Sequence, residues 1–312
     1  MLLVFQNLQT MLLIKIVVTG FLSSLLLLLR TEASDDDRQH HFVLVHGAGH
    51  GAWCWYKVTN LLHKAGHKVD AIDLLSAGIS SFDPTRVGTL VRYTSPLVDF
   101  LEQLPHNSTV VLVGHSLGGA SLTYALEKFP EKIVAAIYVA GLMLPSGPAG
   151  TALNNQLQGR LPVPGPAGTV PLAIPFQLDL VQNLLYNLSP PEVGRNETPH
   201  LPRNPELFPG FHPIDISDRS IDAQNVELAK SLLKPVPVLD PAVNFTQARY
   251  GSVPRYFIKT DHDNVVLPQD QDLLIRTTPP IGVFRISSDH TPFFSNPSGL
   301  ASLLDRIART LP

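Results

Sequence analysis

At 312 residues the chain has room for one large α/β domain or two small ones. Its hydrophobic share of 44% and charged share of 16% fit a globular protein with a sizeable core. A net charge of −3 leaves no basic footprint for nucleic acid, and a single cysteine, Cys54, excludes an intrachain disulfide framework and a cysteine-rich zinc site.

The amino terminus reads as a leader. Residues 11–29, MLLIKIVVTGFLSSLLLLL, form an apolar run followed by Arg30 and Thr31-Glu32-Ala33-Ser34. An apolar stretch ending in small residues fits a secretory signal cut after Ala33, so residues 1–33 are expected to be removed and the protein to be secreted or endomembrane. The first ten residues carry no positive charge, and Lys15 supplies one if translation starts at Met11. A membrane anchor is the second reading, since the run approaches the ~20 residues that span a bilayer. A chloroplast transit peptide is the third, although such segments are Arg- and Ser-rich and this one is mostly leucine. Membrane contact is expected only through this segment. Sequons at Asn107, Asn187, Asn196 and Asn244 fit glycosylation of a secreted protein, with Pro190 weakening the second.

Residues 34–40, with Asp35-Asp36-Asp37-Arg38, read as a solvated linker, and the folded domain is expected over 41–312. Phe42–Val45 is a short apolar run bounded by Gly47, a buried strand. Cys54, between Trp53 and Trp55, reads as a small buried thiol with nothing basic beside it. A helical pattern from Trp55 to Lys64 stops at Gly66, and His67–Ile72 is the next strand. A helix follows over about Leu90–Leu104, then strand Val110–Val113, a helix with Leu122, Ala125, Leu126 and Phe129 on one face, and strand Ile133–Val139. This alternation predicts an α/β fold, a mostly parallel sheet with helices on both faces.

The alternation breaks near Gly141. Residues 145–213 hold half of the chain's 28 prolines, so long regular helices are not expected there. A helix resumes near Ala223–Leu233. The stretch from about 145 to 240 reads as a cap inserted over the sheet. The α/β pattern returns with strand Arg255–Lys259, helix Gln269–Thr277 and strand Val283–Ile286. It closes with an amphipathic helix carrying Leu300, Leu303, Leu304, Ile307 and Leu311, with Pro297 in its first turn.

The chemistry starts at Gly114-His115-Ser116-Leu117-Gly118-Gly119. A Gly-x-Ser-x-Gly pattern arises by chance in roughly one chain in ten of this length, so its context decides. Between a strand and a helix it is a nucleophile elbow, with glycines two before and two after the serine and the hydroxyl raised over the sheet. A serine needs a base, and the base needs an orienting acid. The elbow arrangement orders them Ser, acid, His, and only His200, His212, His262 and His290 follow Ser116. His200 and His212 fall in the cap, whereas His290 follows the last strand, where a parallel sheet presents a catalytic loop. The acid is expected after the preceding strand, in Thr260-Asp261-His262-Asp263-Asn264; Asp263 is favoured over Asp261, and Asp289 reads as a turn or cap residue. The oxyanion needs preset donors. The backbone N–H of Leu117 is one, and the glycine-rich loop His46–Gly51 after the first strand offers the N–H of Ala48 as the other. His46 and His50 read as loop-packing residues.

These segments, HFVLVHGAGHGAWCWYKV, VVLVGHSLGGASLTYALEKFP, RYGSVPRYFIKTDHDNVVLP and SSDHTPFF, resemble the plant methylesterase branch of the α/β-hydrolases, close cousins of the plant hydroxynitrile lyases. The resemblance covers roughly residues 41–312 and is weak in the cap. It implies the triad Ser116, Asp263 and His290 with oxyanion donors Ala48 and Leu117. It implies hydrolysis of methyl esters of small plant acids, of the methyl jasmonate, methyl salicylate and methyl indole-3-acetate type, with no metal or organic cofactor. The lyases carry threonine and lysine where this chain has Gly47 and Thr291, so a lyase is the disfavoured alternative; a non-enzymatic hormone receptor of the same fold is another. The family's cap commonly places a tryptophan over the substrate, whereas Trp53 and Trp55 both lie outside the cap here. Phe176, Leu180 and Phe211 are the candidate pocket residues, and the proline- and glycine-rich stretch 146–170 lengthens the cap.

Overall fold

The computed structural model describes residues 39–158, 172–189 and 226–312. The apolar leader, the Asn196 sequon, His200, His212 and Phe211 lie outside them.

Six strands form one sheet: β1 (His41–Val45), β2 (Lys68–Ile72), β3 (Val110–His115), β4 (Ile133–Val139), β7 (Arg255–Thr260) and β8 (Gly282–Ile286). Their order is β2-β1-β3-β4-β7-β8, and every neighbouring pair is parallel. Side chains alternate across a strand, so each strand feeds two cores. Val43, Val45, Leu112 and Phe257 face one, with Leu97, Leu101, Leu122 and Leu126. Phe42, Leu44, Val111, Val113 and Ile258 face the other, with Val58, Leu62, Leu300 and Leu304. Each fully buried Leu or Val side chain contributes roughly 1.5–3 kcal/mol, so the near-continuous apolar runs of β1 and β3 reflect burial on both faces.

Among the described residues, the helices of eight residues or more are α1 (Tyr56–Lys64), α2 (Ser95–Gln103), α3 (Gly118–Lys128), α4 (Pro148–Gln158), α5 (Leu178–Leu185), α6 (Pro268–Thr277) and α7 (Pro297–Ala308). The helix expected over Leu90–Leu104 is two pieces, Leu90–Tyr93 and α2. Pro96 explains the break: it lacks an N–H and is tolerated only in a first turn. Pro297 likewise opens α7, whose Asn296 side chain accepts from the Gly299 amide.

The region after β4 is less irregular than its prolines imply. α4 runs for 11 residues, because Pro148 occupies its first position and Pro145 lies before it. Beyond it, β5 (Ala173–Ile174) pairs antiparallel with β6 (Val236–Pro237), and residues 226–232 are helical. Among the described residues, no helix is long and apolar enough to cross a membrane.

Candidate active site

Ser116 sits where β3 turns into α3, with φ +50°. A positive φ at a non-glycine residue is strained and needs surrounding structure to hold it. The restraint is visible. The Ser116 amide donates to the Val139 carbonyl at 3.2 Å, and the Ser116 carbonyl accepts from Gly119 and Leu142, each at 2.9 Å. The flanking glycines allow the turn: a Cβ at Gly114 would stand 2.7 Å from Leu122, and one at Gly118 would stand 2.5 Å from the His46 carbonyl oxygen. The His46–Gly51 loop therefore packs directly on the start of α3.

His290 follows β8 and Asp263 follows β7, so the sheet order brings them together. His290 Nδ1–H donates to Asp263 Oδ2 at 2.8 Å, with both side chains at most 2% exposed. That bond leaves Nε2 of His290 as the basic nitrogen. Asp263 is held by further donors. Thr260 Oγ1 reaches Oδ2 at 2.7 Å, and the amides of Val265 and Val266 reach Oδ1 at 2.8 and 2.9 Å. Gln271 on α6 joins the same cluster, donating to Thr260 Oγ1 at 2.9 Å. Asp261 points elsewhere and pairs with Arg285 at 3.0 Å near the surface. Asp289 is fully buried and caps the turn that follows it. It accepts from the Thr291 amide at 3.0 Å, Ser295 Oγ at 2.7 Å and the Leu188 amide at 3.0 Å. Burial pushes its carboxyl above the ordinary carboxylate range, against the pull of those donors.

Ser116, His290, Ala48 and Leu117 share one wall of a cavity of about 580 Å³. Among the described residues, the amides of Ala48 and Leu117 donate to no other group of the protein, and Leu117 caps the amino end of α3. Hydrogen-bond donors at a helix start facing a cavity suit a developing anion. Elsewhere the wall is mostly apolar, with Phe176, Leu180, Val181, Leu184, Val236 and Val265; Asn155, Gln177, His50 and His115 are its polar members, and no Lys or Arg lines it among the described residues. Phe176 and Leu180, named from the sequence, are thus both on the cavity wall.

Three histidines surround the centre without serving as its base. His46 bonds the Gly47 carbonyl at 2.7 Å and accepts from the Leu74 amide at 3.1 Å, which ties the loop to the end of β2. His115 donates from Nε2 to the His290 carbonyl at 2.6 Å. His50 bonds the Ala48 carbonyl at 3.0 Å and Tyr186 Oη at 2.9 Å. Burial lowers the basicity of all three, His50 to about 3, so each is neutral at physiological pH. Packing of the loop by His46 and His50 matches the sequence expectation. The supports Thr260, Gln271 and Tyr186 carry no motif, and nothing in the sequence marks them. Cys54 is buried, which pushes its thiol well up. No cluster of potential metal ligands occurs among the described residues.

The alpha/beta hydrolase family matches residues 42–303. The chain is 36% identical over 283 residues to a putative chloroplastic methylesterase 11 of Arabidopsis thaliana, covering 88% of this chain and 65% of that protein. It spans less than two thirds of that relative and only 56% and 57% of two further chloroplastic methylesterases of the same plant. It is also 36% identical over 282 residues to methyl jasmonate esterase 1 of Vitis vinifera, covering 86% of this chain and 97% of that one. The crystal structure of methylesterase MES16 from Arabidopsis matches with a TM-score of 0.68 at 34% identity, covering 87% of this chain and 100% of that chain.

Proposed function

Because this chain belongs to the plant methylesterases of the alpha/beta hydrolase family, we propose that it is a serine carboxylesterase cleaving methyl esters of small plant acids. The observation that carries the reading is the buried Asp263–His290 pair, set behind a cavity wall that also presents Ser116 and the amides of Ala48 and Leu117. In this mechanism His290 Nε2 takes the proton from Ser116 Oγ as the oxygen attacks the ester carbonyl. The two amides hold the oxyanion. Methanol leaves with the proton from His290, and water, activated by the same base, releases the acid. Asp263 fixes the imidazole tautomer and stabilises its cation. Nothing in this sequence of steps calls for a metal or an organic cofactor.

Among acids of the jasmonate, salicylate and indole-3-acetate type, the cavity favours the larger and less polar. The Vitis relative named for methyl jasmonate supports the same order. Cyanohydrin cleavage fits poorly, since Thr291 is buried and its hydroxyl donates to the Leu185 carbonyl at 2.7 Å. On its residues, the leader reads as a secretory signal. The chloroplastic relatives support a plastid address instead, and sequencing the mature amino terminus decides between them.

Ser116→Ala tests the assignment. Hydrolysis of p-nitrophenyl acetate should fall at least about 10⁴-fold with the fold intact. Activity retained by that variant overturns the serine esterase. A panel of the three methyl esters then ranks the acids.

A further inference from the structure

Four consecutive residues at the end of α5 touch all three loops of the centre. The Leu185 carbonyl accepts from Thr291 Oγ1 at 2.7 Å, beside His290. Tyr186 Oη meets His50 Nε2 at 2.9 Å. Asn187 Nδ2 donates to the His262 carbonyl at 3.1 Å, beside Asp263. The Leu188 amide donates to Asp289 Oδ2 at 3.0 Å, on the other side of His290. The direction of the second contact is fixed by chemistry. His50 Nδ1 lies 3.0 Å from the Ala48 carbonyl, which only accepts, so Nδ1 carries the proton and Nε2 accepts from the tyrosine hydroxyl. A chain of two hydrogen bonds thus runs from Tyr186 through His50 to the residue whose amide is the proposed oxyanion donor.

We infer that residues 185–188 are a positioning element, with Tyr186 and His50 setting the oxyanion loop and Leu185, Asn187 and Leu188 setting the acid and base loops. This rests on the esterase reading above. Tyr186 is fully buried and is absent from the cavity wall, so its hydroxyl reaches the centre through His50. The arrangement makes seating of α5 a condition for a competent centre. A misplacement of about 1 Å in a catalytic group costs up to roughly 10²-fold in rate, so loss of one strut should be visible in turnover. The Asn187 sequon lies inside this element, and its amide nitrogen is already engaged with the His262 carbonyl.

Tyr186→Phe removes only the hydroxyl. With p-nitrophenyl acetate, kcat should fall about 10-fold while KM stays within about 2-fold. In a His50→Phe background, which keeps a ring and removes both hydrogen bonds, the same change should add nothing, because the strut is already cut. A folded Tyr186→Phe protein with wild-type kcat, a loss confined to KM, or full additivity with His50→Phe overturns the proposal. Should Tyr186→Phe fail to fold, Asn187→Asp, at a half-buried position, serves instead. It replaces the donor to His262 by an acceptor and should lower kcat severalfold at constant KM; an unchanged kcat counts against the proposal equally. Wild-type protein without Ser116-dependent turnover overturns the esterase reading and this inference with it, whereas an active wild type with insensitive variants overturns only the inference.

Discussion

On the sheet side of the cavity, backbone geometry holds the centre. Ser116 is fixed by a strained turn, two close-packed glycines and the parallel pairing of β3 with β1 and β4. On the cap side, single side-chain bonds hold it: Tyr186 to His50, Thr291 to the Leu185 carbonyl, Asn187 to the His262 carbonyl. A steric rule admits few sequences and tolerates no partial satisfaction. One hydrogen bond contributes only about 0.5–1.5 kcal/mol net and can be made by many residues at many positions. The sheet side should therefore fail abruptly when altered, and the cap side by degrees.

After Ser116 itself, the most severe outcome is expected at Asp263, the proposed acid. Asp263→Asn should lower kcat/KM of an aryl ester by roughly 10³–10⁴-fold, since the amide presents the wrong partner to His290 Nδ1. Asp261→Asn should stay within about 2-fold, because its partner is Arg285 at a partly exposed surface pair, a kind of contact that contributes about 0–1 kcal/mol. Equal losses at the two positions would break the contrast between a centre fixed by the sheet and its solvated surroundings.

Gly47 comes next. A Cβ there would stand 2.7 Å from His115 Nδ1 and 2.8 Å from the Ser116 Cβ. Gly47→Thr should push the oxyanion loop off the elbow and cost about 100-fold in kcat, with no cyanide released from a cyanohydrin. Cyanide release by that variant would show that a single loop residue governs the chemistry and that the elbow yields more than its packing allows.

These contrasts explain how much of the molecule was legible beforehand. The strands and Ser116 could be read from apolar runs and glycine spacing, since burial on both faces and a turn with no room for side chains leave few choices. Chain order on that framework nominates His290, while the amides of Leu117 and Ala48 are nominated by their places after the serine and in the glycine-rich loop. Asp263 is favoured over Asp261 more firmly by the family resemblance than by spacing, because both sit in the loop after β7; the Val265 and Val266 amides and Thr260 distinguish them in three dimensions. Tyr186 and Asn187 were invisible for the same reason. Each meets a partner 136 or 75 residues away through one bond that no local pattern encodes. α4 went unforeseen because proline count was taken without proline position, and Pro148 sits where a helix accepts it.

Both sides lose stability in acid. His46 and His115 lie under the sheet edge and His50 between the loop and Tyr186; burial holds all three below the ordinary imidazole range, His50 at about 3. The unfolded chain therefore binds these protons first as pH falls. Stability is fully present above about 6.5 and is lost progressively as pH drops toward 3. Each histidine contributes a slope of about 1 kcal/mol per pH unit within its window. His50→Gln should flatten the fall of the thermal midpoint between pH 6.5 and 4 by one histidine's share. Parallel curves for the two proteins would mean that His50 titrates as freely folded as unfolded, and that its bond to Tyr186 is not maintained in solution.

The smallest effect is expected at the apolar part of the cavity wall. Leu180 is on the cavity wall and only partly buried, and it makes no contact with the catalytic loops through a side-chain hydrogen bond. Leu180→Ala removes apolar surface from the acyl site, a change worth roughly 1 kcal/mol against a bulky acid. KM for methyl jasmonate should rise about 5-fold, while kcat and KM for p-nitrophenyl acetate, with its two-carbon acyl group, should stay unchanged. The two substrates separate specificity from chemistry in one protein. A loss shared equally by both would place Leu180 with Tyr186 among the residues that hold the centre together, and the division between a cap wall that selects and a cap turn that positions would fail.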